Sequence, residues 1–268
     1  MINEVYHEFF KTRGLLLDNA YDPFVLRNLL SYYKDNDLHY IRCQDNDLAN
    51  LRGFKNLYYL TVSQEAYNFD VLSELDNLIG IELLSEQVPA VPENIKNRIE
   101  SLVLHQTSGK IESLSCFPHI KYLKVDSYPG FKNTDLCFLN GLHLNQLSVM
   151  SKYITTLKGI ETQCSLECLE VTQCSKLFDI SQIVYLSCLK TVVLQECNKL
   201  SEESLGSVPE SVEFLTVFGS EQSGHKHSLN SLDFLETLVN LKKFETNCKV
   251  DSELLNTVDY KGRINVIN

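Results

Sequence analysis

Three side chains of the kind that serine hydrolases use, Ser85, His105 and Asp126, follow one another along the chain at nearly equal intervals. Three successive parallel strands would carry them side by side, because neighbouring strands lie about 4.8 Å apart. A Ser–His–Asp row can activate a serine nucleophile. An open sheet, however, offers no Gly-rich turn or helix N-terminus that could serve as an oxyanion hole. We therefore predict a chain without enzymatic activity and keep a hydrolase as an alternative.

Cysteine and histidine clusters raise the question of a metal site. Cys164, Cys168 and Cys174 are close in sequence, but the repeat places Cys174 toward the core, Cys168 outward and Cys164 on the preceding turn, so they do not converge on one tetrahedron. His225 and His227 lie within the segment GSEQSGHKHS, whose Gly and Ser content predicts a projecting loop. No C-x-x-C pair is present. We predict neither a metal nor a cofactor.

The nine cysteines are an odd number in a chain long enough to build its own core. This favours reduced thiols over a disulfide framework. We predict no disulfides, with Cys43, Cys174 and Cys197 buried and Cys168 more reactive.

A repeated pattern determines where all these residues lie. Residues 38–54 read LHYIRCQDNDLANLRGF, and residues 166–183 repeat the same spacing of apolar positions as LECLEVTQCSKLFDISQI. Ten copies of the core L-x-x-L-x-L follow one another, and such a period is the sequence sign of a repeat architecture. They begin at Leu38, Leu57, Leu78, Ile99, Ile120, Leu144, Leu166, Leu189, Val212 and Leu241.

This pattern, L-x-x-L-x-L-x-x-N-x-L, resembles the leucine-rich-repeat family in its short-repeat form of mostly 19 to 24 residues. The resemblance implies an α/β-type solenoid with a curved parallel sheet of ten or eleven strands and little helix on the convex side. Because short repeats leave no room for long helices, we expect extended or 3₁₀ segments there. We expect residues 1–37 to form an N-terminal helical cap, residues 38–250 the solenoid, and residues 251–268 a C-terminal cap with a closing strand.

Strand alternation divides the residues of each repeat into two sets. Counting the first Leu as offset 0, offsets 3 and 5 point into the core, which predicts that Leu102, Leu123, Leu147, Leu169 and Leu215 are buried. At offset 8 a small polar residue should serve backbone groups in the turn, but five repeats depart from this and carry Glu65, Glu86, Tyr128, Lys152 and Lys249. There the turn is looser or the register differs by one residue.

Offsets 2, 4 and 6 point outward on the concave side and define the candidate binding surface. Its mixture of aromatic residues, Met and both charge signs is typical of protein interfaces. The candidate partner-binding residues are Tyr40, Arg42, Tyr59, Glu82, Leu84, His105, Tyr122, Lys124, Asp126, Met150, Glu170, Phe214 and Phe218. The loop around His225 and His227 is the competing site.

The formal net charge of −11 disfavours nucleic acid and anionic membranes and favours a basic partner. The apolar stretches are too short to span a bilayer, and Glu4 and Glu8 stand where a secretory signal would be basic. We expect a cytoplasmic protein, monomeric when unbound, that binds another protein. An immunity or inhibitor protein that neutralises a toxin or enzyme fits these features; a cytosolic scaffold or substrate-recognition subunit is the alternative.

Overall fold

The computed structural model describes residues 14–17, 40–43, 47–54, 56–63, 65–84, 90–105, 109–126, 131–220, 228–250 and 264–266, with the backbone alone for 14–17 and 40–43. The chain forms two compact units. The first comprises residues 1–106 with 116–120, and the second comprises residues 107–115 with 121–268. Each unit is built from repeat coils that contribute one strand apiece to a parallel sheet.

The first unit contains five described strands, each hydrogen-bonded in parallel to the next. They are β1 (Gly14–Leu17), β2 (Tyr40–Cys43), β3 (Tyr59–Val62), β4 (Gly80–Leu83) and β5 (Ser101–His105). The last four are the predicted strands of repeats one to four. β1 was not predicted; it lies in the region expected to form a helical cap, and the rest of that cap lies outside the described residues.

The second unit contains a parallel sheet in which each strand is followed by the strand of the next repeat, and a small pair of short strands. The sheet consists of β6 (Tyr122–Asp126), β7 (Gln146–Met150), β8 (Cys168–Thr172), β9 (Thr191–Gln195), β10 (Phe214–Phe218), β12 (Lys243–Thr246) and β14 (Ile264–Val266). The short pair consists of β11 (Ser228–Leu229) and β13 (Lys249–Val250). β14 is the predicted closing strand.

The apolar rows of the repeat pattern become the core. In the second unit, Leu147 is in register with Leu169, Leu169 with Val192, and Val192 with Leu215. All four are at most 1% exposed. Leu102 of the first unit and Leu123 of the second are fully buried as well, so the predicted strand register is confirmed.

Short helical segments return the chain from the end of one strand to the start of the next. The 3₁₀ helices are Leu48–Leu51, Phe69–Glu74, Cys137–Leu139, Ile160–Thr162, Ser181–Tyr185 and Asp233–Thr237. Two single α-helical turns, α1 (Glu93–Lys96) and α2 (Glu202–Leu205), complete the described set. The expected 3₁₀ segments are therefore confirmed, and only α1 and α2 depart from them.

Asp and Ser side chains start several of these segments by accepting an N–H two residues later. Asp47 Oδ1 accepts from the Ala49 amide at 2.9 Å, and Asp179 Oδ1 accepts from the Ser181 amide at 2.9 Å. The Ser181 amide is the main reason that the pKa of Asp179 lies below its ordinary value. No helix in the described ranges is long and apolar enough to cross a membrane.

The turn after each strand explains the irregular offset 8. Cys174 and Cys197 occupy it and are buried, as predicted; the Cys197 thiol donates to the Val171 carbonyl of the preceding repeat at 3.6 Å. In the repeats with lysine at offset 8, the buried residue comes one position earlier. Ser151 Oγ donates to the Phe131 carbonyl at 2.8 Å, and the Cys248 thiol to the Val217 carbonyl at 3.6 Å. The strand register is thus correct, and the turn is one residue shorter.

Gln163 is a buried polar residue that the pattern did not reveal. Its amide is fully buried; Oε1 accepts from the Leu144 amide at 3.1 Å, and Nε2 donates to the Leu139 carbonyl at 3.1 Å. The side chain thus pairs two backbone groups, the Leu144 amide and the Leu139 carbonyl, that would otherwise be buried without a partner. Gly159, nearby, has φ +101, and a Cβ there would lie 2.5 Å from the Leu136 carbonyl carbon. Only glycine fits this turn.

Candidate functional site

The outward side chains of each sheet form a surface that we call the strand face of that unit. The first-unit strand face contains Tyr59, Glu82 and His105, and Leu84 follows directly after β4. The second-unit strand face contains Tyr122, Lys124, Asp126, Met150, Glu170, Phe214 and Phe218. Tyr40 and Arg42 lie in β2, where only the backbone is described. The predicted binding residues thus lie in, or directly after, the strands of their repeats.

A hydrogen-bonded ladder crosses three strands of the first-unit strand face. The Thr61 hydroxyl donates to Glu82 Oε2 at 2.8 Å, and His105 Nε2 lies 2.6 Å from Glu82 Oε1. The side chains of Glu82 and His105 are 23% and 24% exposed. One carboxylate therefore holds a group on each neighbouring strand, and its two oxygens are engaged.

The ring of Tyr59 covers Gly80 on the same face. A Cβ at Gly80 would lie 2.2 Å from Tyr59 Cδ2, so the ring needs glycine in the neighbouring strand. Leu84 is half-buried at the end of the strand, and its amide donates to the Val62 carbonyl at 3.2 Å.

The second-unit strand face begins with an ion pair within one strand. Lys124 Nζ lies 3.3 Å from Asp126 Oδ2 in β6. Tyr122 on the same strand and Met150 on β7 are half-buried. The charges at this end of the face are thus balanced.

Glu170 stands near the middle of the second-unit strand face. It is half-buried on β8, in register with Ser148 on β7 and Val193 on β9. In the described ranges no side chain donates a hydrogen bond or contributes an ion pair to its carboxylate. Burial, and to a smaller extent the Glu170 charge, raises the pKa of the Cys168 thiol two residues away. Among the described side chains, the Glu170 carboxylate therefore has no partner of opposite charge.

Two phenylalanines stand beyond Glu170 on β10. Phe214 is 36% exposed and Phe218 is half-buried. Between them lies Thr216, in register with Val193 on β9. The row Glu170–Val193–Thr216 is thus a strip with an acid at one end and aromatic side chains on both sides of the other end.

A second carboxylate network lies at the far end of the second unit. Lys243 Nζ is 2.7 Å from Glu245 Oε1, and Asn265 Nδ2 donates to the same oxygen at 3.2 Å. The hydrogen bond from Lys243, with help from Asn265, holds the pKa of the Glu245 carboxyl below its ordinary value. Asn247, which the pattern places outward, instead bonds to the backbone of Gly219: its Oδ1 accepts from the Gly219 amide at 2.7 Å.

Several small outward residues are buried rather than exposed. Thr61 and Val103 in the first unit and Ser148 in the second are buried, although strand alternation places them on the strand faces. Alternation predicts the direction of a side chain but not whether a neighbour covers it.

The catalytic and metal alternatives gain no support. Ser85 and the histidine pair at residues 225 and 227 lie outside the described residues, and His105 Nε2 contacts Glu82. Among the residues that the structure describes, no group of three or more His, Cys, Asp or Glu side chains could hold a metal ion.

The eight cysteines whose side chains are described are all free thiols. The hydrogen bond with Cys174, together with burial, raises the pKa of the Cys197 thiol. Cys164 and Cys188 are exposed, whereas Cys168 is half-buried. The thiols of Cys164 and Cys188 are therefore more accessible than that of Cys168, which the sequence pattern had suggested as the reactive one.

Several exposed apolar side chains lie away from the strand faces. Val184 and Tyr185 at the end of the Ser181–Tyr185 helix are 52% and 70% exposed, and Val239 is 67% exposed. The repeat pattern did not indicate them, because it marks only the strand and the buried positions of the return segment.

Comparison with known proteins supports the architecture. No family model matches the chain, and no curated protein matches it. Among solved structures, the leucine-rich repeat domain of APL1B matches with a TM-score of 0.50 and 12% identity, covering 100% of this chain and 92% of that chain. A leucine-rich-repeat protein of Leptospira interrogans matches with a TM-score of 0.32 and 14% identity, covering 85% and 76%. With its parallel strands, short return helices and the first of these likenesses, the chain has the leucine-rich-repeat fold.

Proposed function

We propose that this chain is a non-enzymatic protein-binding module that uses its strand faces. The observation that carries the proposal is the composition of the second-unit strand face. Phe214, Phe218 and Met150 remain accessible there beside paired charges, and aromatic residues and Met are enriched in the cores of protein interfaces. The first-unit strand face contributes Tyr59, Glu82, Leu84 and His105 as a separate contact surface.

The partner that fits this surface is a basic protein. The chain has a formal net charge of −11, which attracts positively charged partners and speeds their association. Both lysines of the second-unit strand face are paired with carboxylates, Lys124 with Asp126 and Lys243 with Glu245. Their charges therefore oppose a basic partner only weakly.

The more specific role is that of an inhibitor or immunity protein that neutralises a toxin or enzyme. Binding alone is sufficient for such a role, because a rigid face that covers an active site excludes substrate without chemistry of its own. A cytosolic scaffold or substrate-recognition subunit would use the same face but leave the catalytic activity of the bound protein unchanged.

Site-specific photo-crosslinking tests the binding proposal. A benzophenone amino acid at Phe214 should yield a defined covalent adduct with the partner in cells of the source organism. The same amino acid at Tyr185, which is exposed but lies away from the strand face, is the matched control. Adducts from position 185 and none from position 214 would contradict the proposal.

Binding measurements with the purified partner then test the surface. Tyr122→Ala and Asp126→Lys should each weaken binding by tenfold or more, about 1.4 kcal/mol, while the melting temperature changes little. Deletion of residues 222–227 tests the competing loop. Loss of binding on deletion, with normal binding by both substitution variants, would assign the site to that loop. An equimolar amount of the chain should abolish the partner's activity if it is an inhibitor and leave it unchanged if it is a scaffold.

A further inference from the structure

Three glutamates occupy the central outward position, offset 4, of their strands: Glu82, Glu170 and Glu245. The carboxylate of Glu82 is held by Thr61 and His105, and that of Glu245 by Lys243 and Asn265. In the part of the chain that the structure describes, Glu170 has no such partner. A half-buried carboxylate is partly withdrawn from water, so a cation supplied from outside gains more there than on an open surface.

The surroundings of Glu170 define the shape of the group that fits. From Glu170 the strip crosses Val193 to Thr216, which is two strand spacings or about 10 Å. The side chains of Val193 on β9 and Thr216 on β10, both of which carry methyl groups, form the floor of the strip. Phe214 and Phe218 flank its far end, four residues apart along β10, or roughly 13 Å at the rise of a strand. The strip is long enough for one extended side chain, and the gap between the phenylalanines is wide enough for the backbone that carries it.

We propose that Glu170 is the subsite for an arginine side chain of the protein partner; this assignment rests on the proposed function. The guanidinium donates two parallel hydrogen bonds to the Glu170 carboxylate, the methylene groups lie over Val193, and Phe214 and Phe218 contact the apolar residues beside the arginine. Arginine suits the site better than lysine because its planar fork matches both carboxylate oxygens and it is less strongly hydrated.

A short peptide tests the subsite without the natural partner. The probe is acetyl-Leu-Arg-Leu-amide, titrated into the isotopically labelled full chain and followed by the backbone amide signals. The two comparison peptides replace arginine with lysine or with citrulline, which keeps the shape of arginine but lacks its charge. We expect the arginine peptide to shift signals of β8 to β10, and the citrulline peptide to bind at least about tenfold more weakly.

Two matched variants show whether the carboxylate is responsible. Glu170→Gln should weaken binding of the arginine peptide by about tenfold, whereas Glu245→Gln, at the same position of a different repeat, should leave it unchanged. Phe214→Ala should weaken the binding of all three peptides, because it removes an apolar contact that they share. Circular dichroism confirms that each variant is folded.

Three results would overturn the assignment: no shifts in β8 to β10, equal binding of the citrulline or lysine peptide, or undiminished binding to the Glu170→Gln variant. These results are separable from failure of the proposed function. A partner that crosslinks at position 214 and binds Glu170→Gln normally would leave the binding module in place and remove only the arginine subsite. Peptide binding that depends on Glu170, without any crosslinked partner, would support the arginine subsite and contradict the proposed function.

Discussion

Glu82 and Glu170 stand at the same position of two repeats, one in each unit, but their environments differ. Glu82 is enclosed by its own chain, since a hydroxyl and an imidazole from the two neighbouring strands engage both of its oxygens. Glu170 has Ser148 and Val193 in register beside it, and neither side chain donates a hydrogen bond to its carboxylate. The first carboxylate is thus bonded within its own sheet, whereas the second contacts no donor side chain among the described residues.

Glu245 is an intermediate case. Its main partner, Lys243, lies on its own strand and is 50% exposed, so solvent screens the pair. The three glutamates therefore form a series in how strongly the fold holds the same functional group. The comparison predicts that Glu82 contributes most to stability, Glu245 less and Glu170 least. We expect the opposite order for how readily each carboxylate binds an external group.

Replacement of an inward neighbour should have the largest effect on stability. Leu169 is fully buried beside Glu170 on β8. Leu169→Ala should lower the free energy of unfolding by about 2 to 5 kcal/mol, because it leaves a cavity in the core. Glu170→Ala should change it by less than about 0.5 kcal/mol. Urea denaturation measures both, and equal effects of the two substitutions would show that the strand register is wrong.

Removal of the Glu82 carboxylate should have an intermediate effect. Glu82→Ala removes the carboxylate that the buried Thr61 hydroxyl and the half-buried His105 ring contact, so we expect a loss of about 1 to 3 kcal/mol. The control is Glu170→Ala, which removes the same group from the same repeat position but takes no hydrogen bond from any described side chain. If the two variants unfolded at the same urea concentration, the distinction between the two carboxylates would fail.

The acid dependence of Glu245 should be the smallest effect. Because Lys243 lowers the pKa of this carboxyl in the folded state, the pair stabilises the protein at pH values above the ordinary glutamate pKa of about 4.3. The contribution is lost as the pH falls through the lowered folded-state pKa. The urea midpoint of Glu245→Gln should lie slightly below that of the parent at pH 7 and coincide with it at strongly acid pH. A difference that persisted in acid would have to arise from something other than ionisation of this carboxyl.

The sequence pattern predicted the architecture because a repeat encodes it many times. Leu147 and Leu169 are buried in register because every L-x-L element alternates. A misplaced strand in one repeat would be detected by comparison with the other copies of the pattern. The turns were less predictable. Ser151 and Cys248 stand at offset 7, yet each donates the hydrogen bond to the preceding repeat that was expected from offset 8. More than one turn geometry can bring a small donor to that carbonyl.

The sequence identified the outward positions but not how strongly neighbouring side chains hold each of them. Alternation placed Glu82, Glu170 and Glu245 on the strand faces without distinguishing among them. It also placed Asn247 outward, although its amide is used by the backbone of Gly219. The sequence pattern did not indicate Gln163, because its role depends on which distant backbone groups would otherwise lack a partner.

The amino-acid sequence by itself determined the repeat, the strands and the buried rows. The period and the alternation of apolar residues are local properties, and they do not depend on which side chains of neighbouring repeats meet. The tertiary structure alone decided which polar groups meet. Thr61 and Glu82 are 21 residues apart, and His105 lies 23 residues beyond Glu82. Such contacts form only when neighbouring coils stack, and their existence depends on the rotamers and sizes of side chains from separate repeats. For this reason a glutamate at offset 4 is held by neighbouring side chains in one repeat and, among the described residues, by none in another.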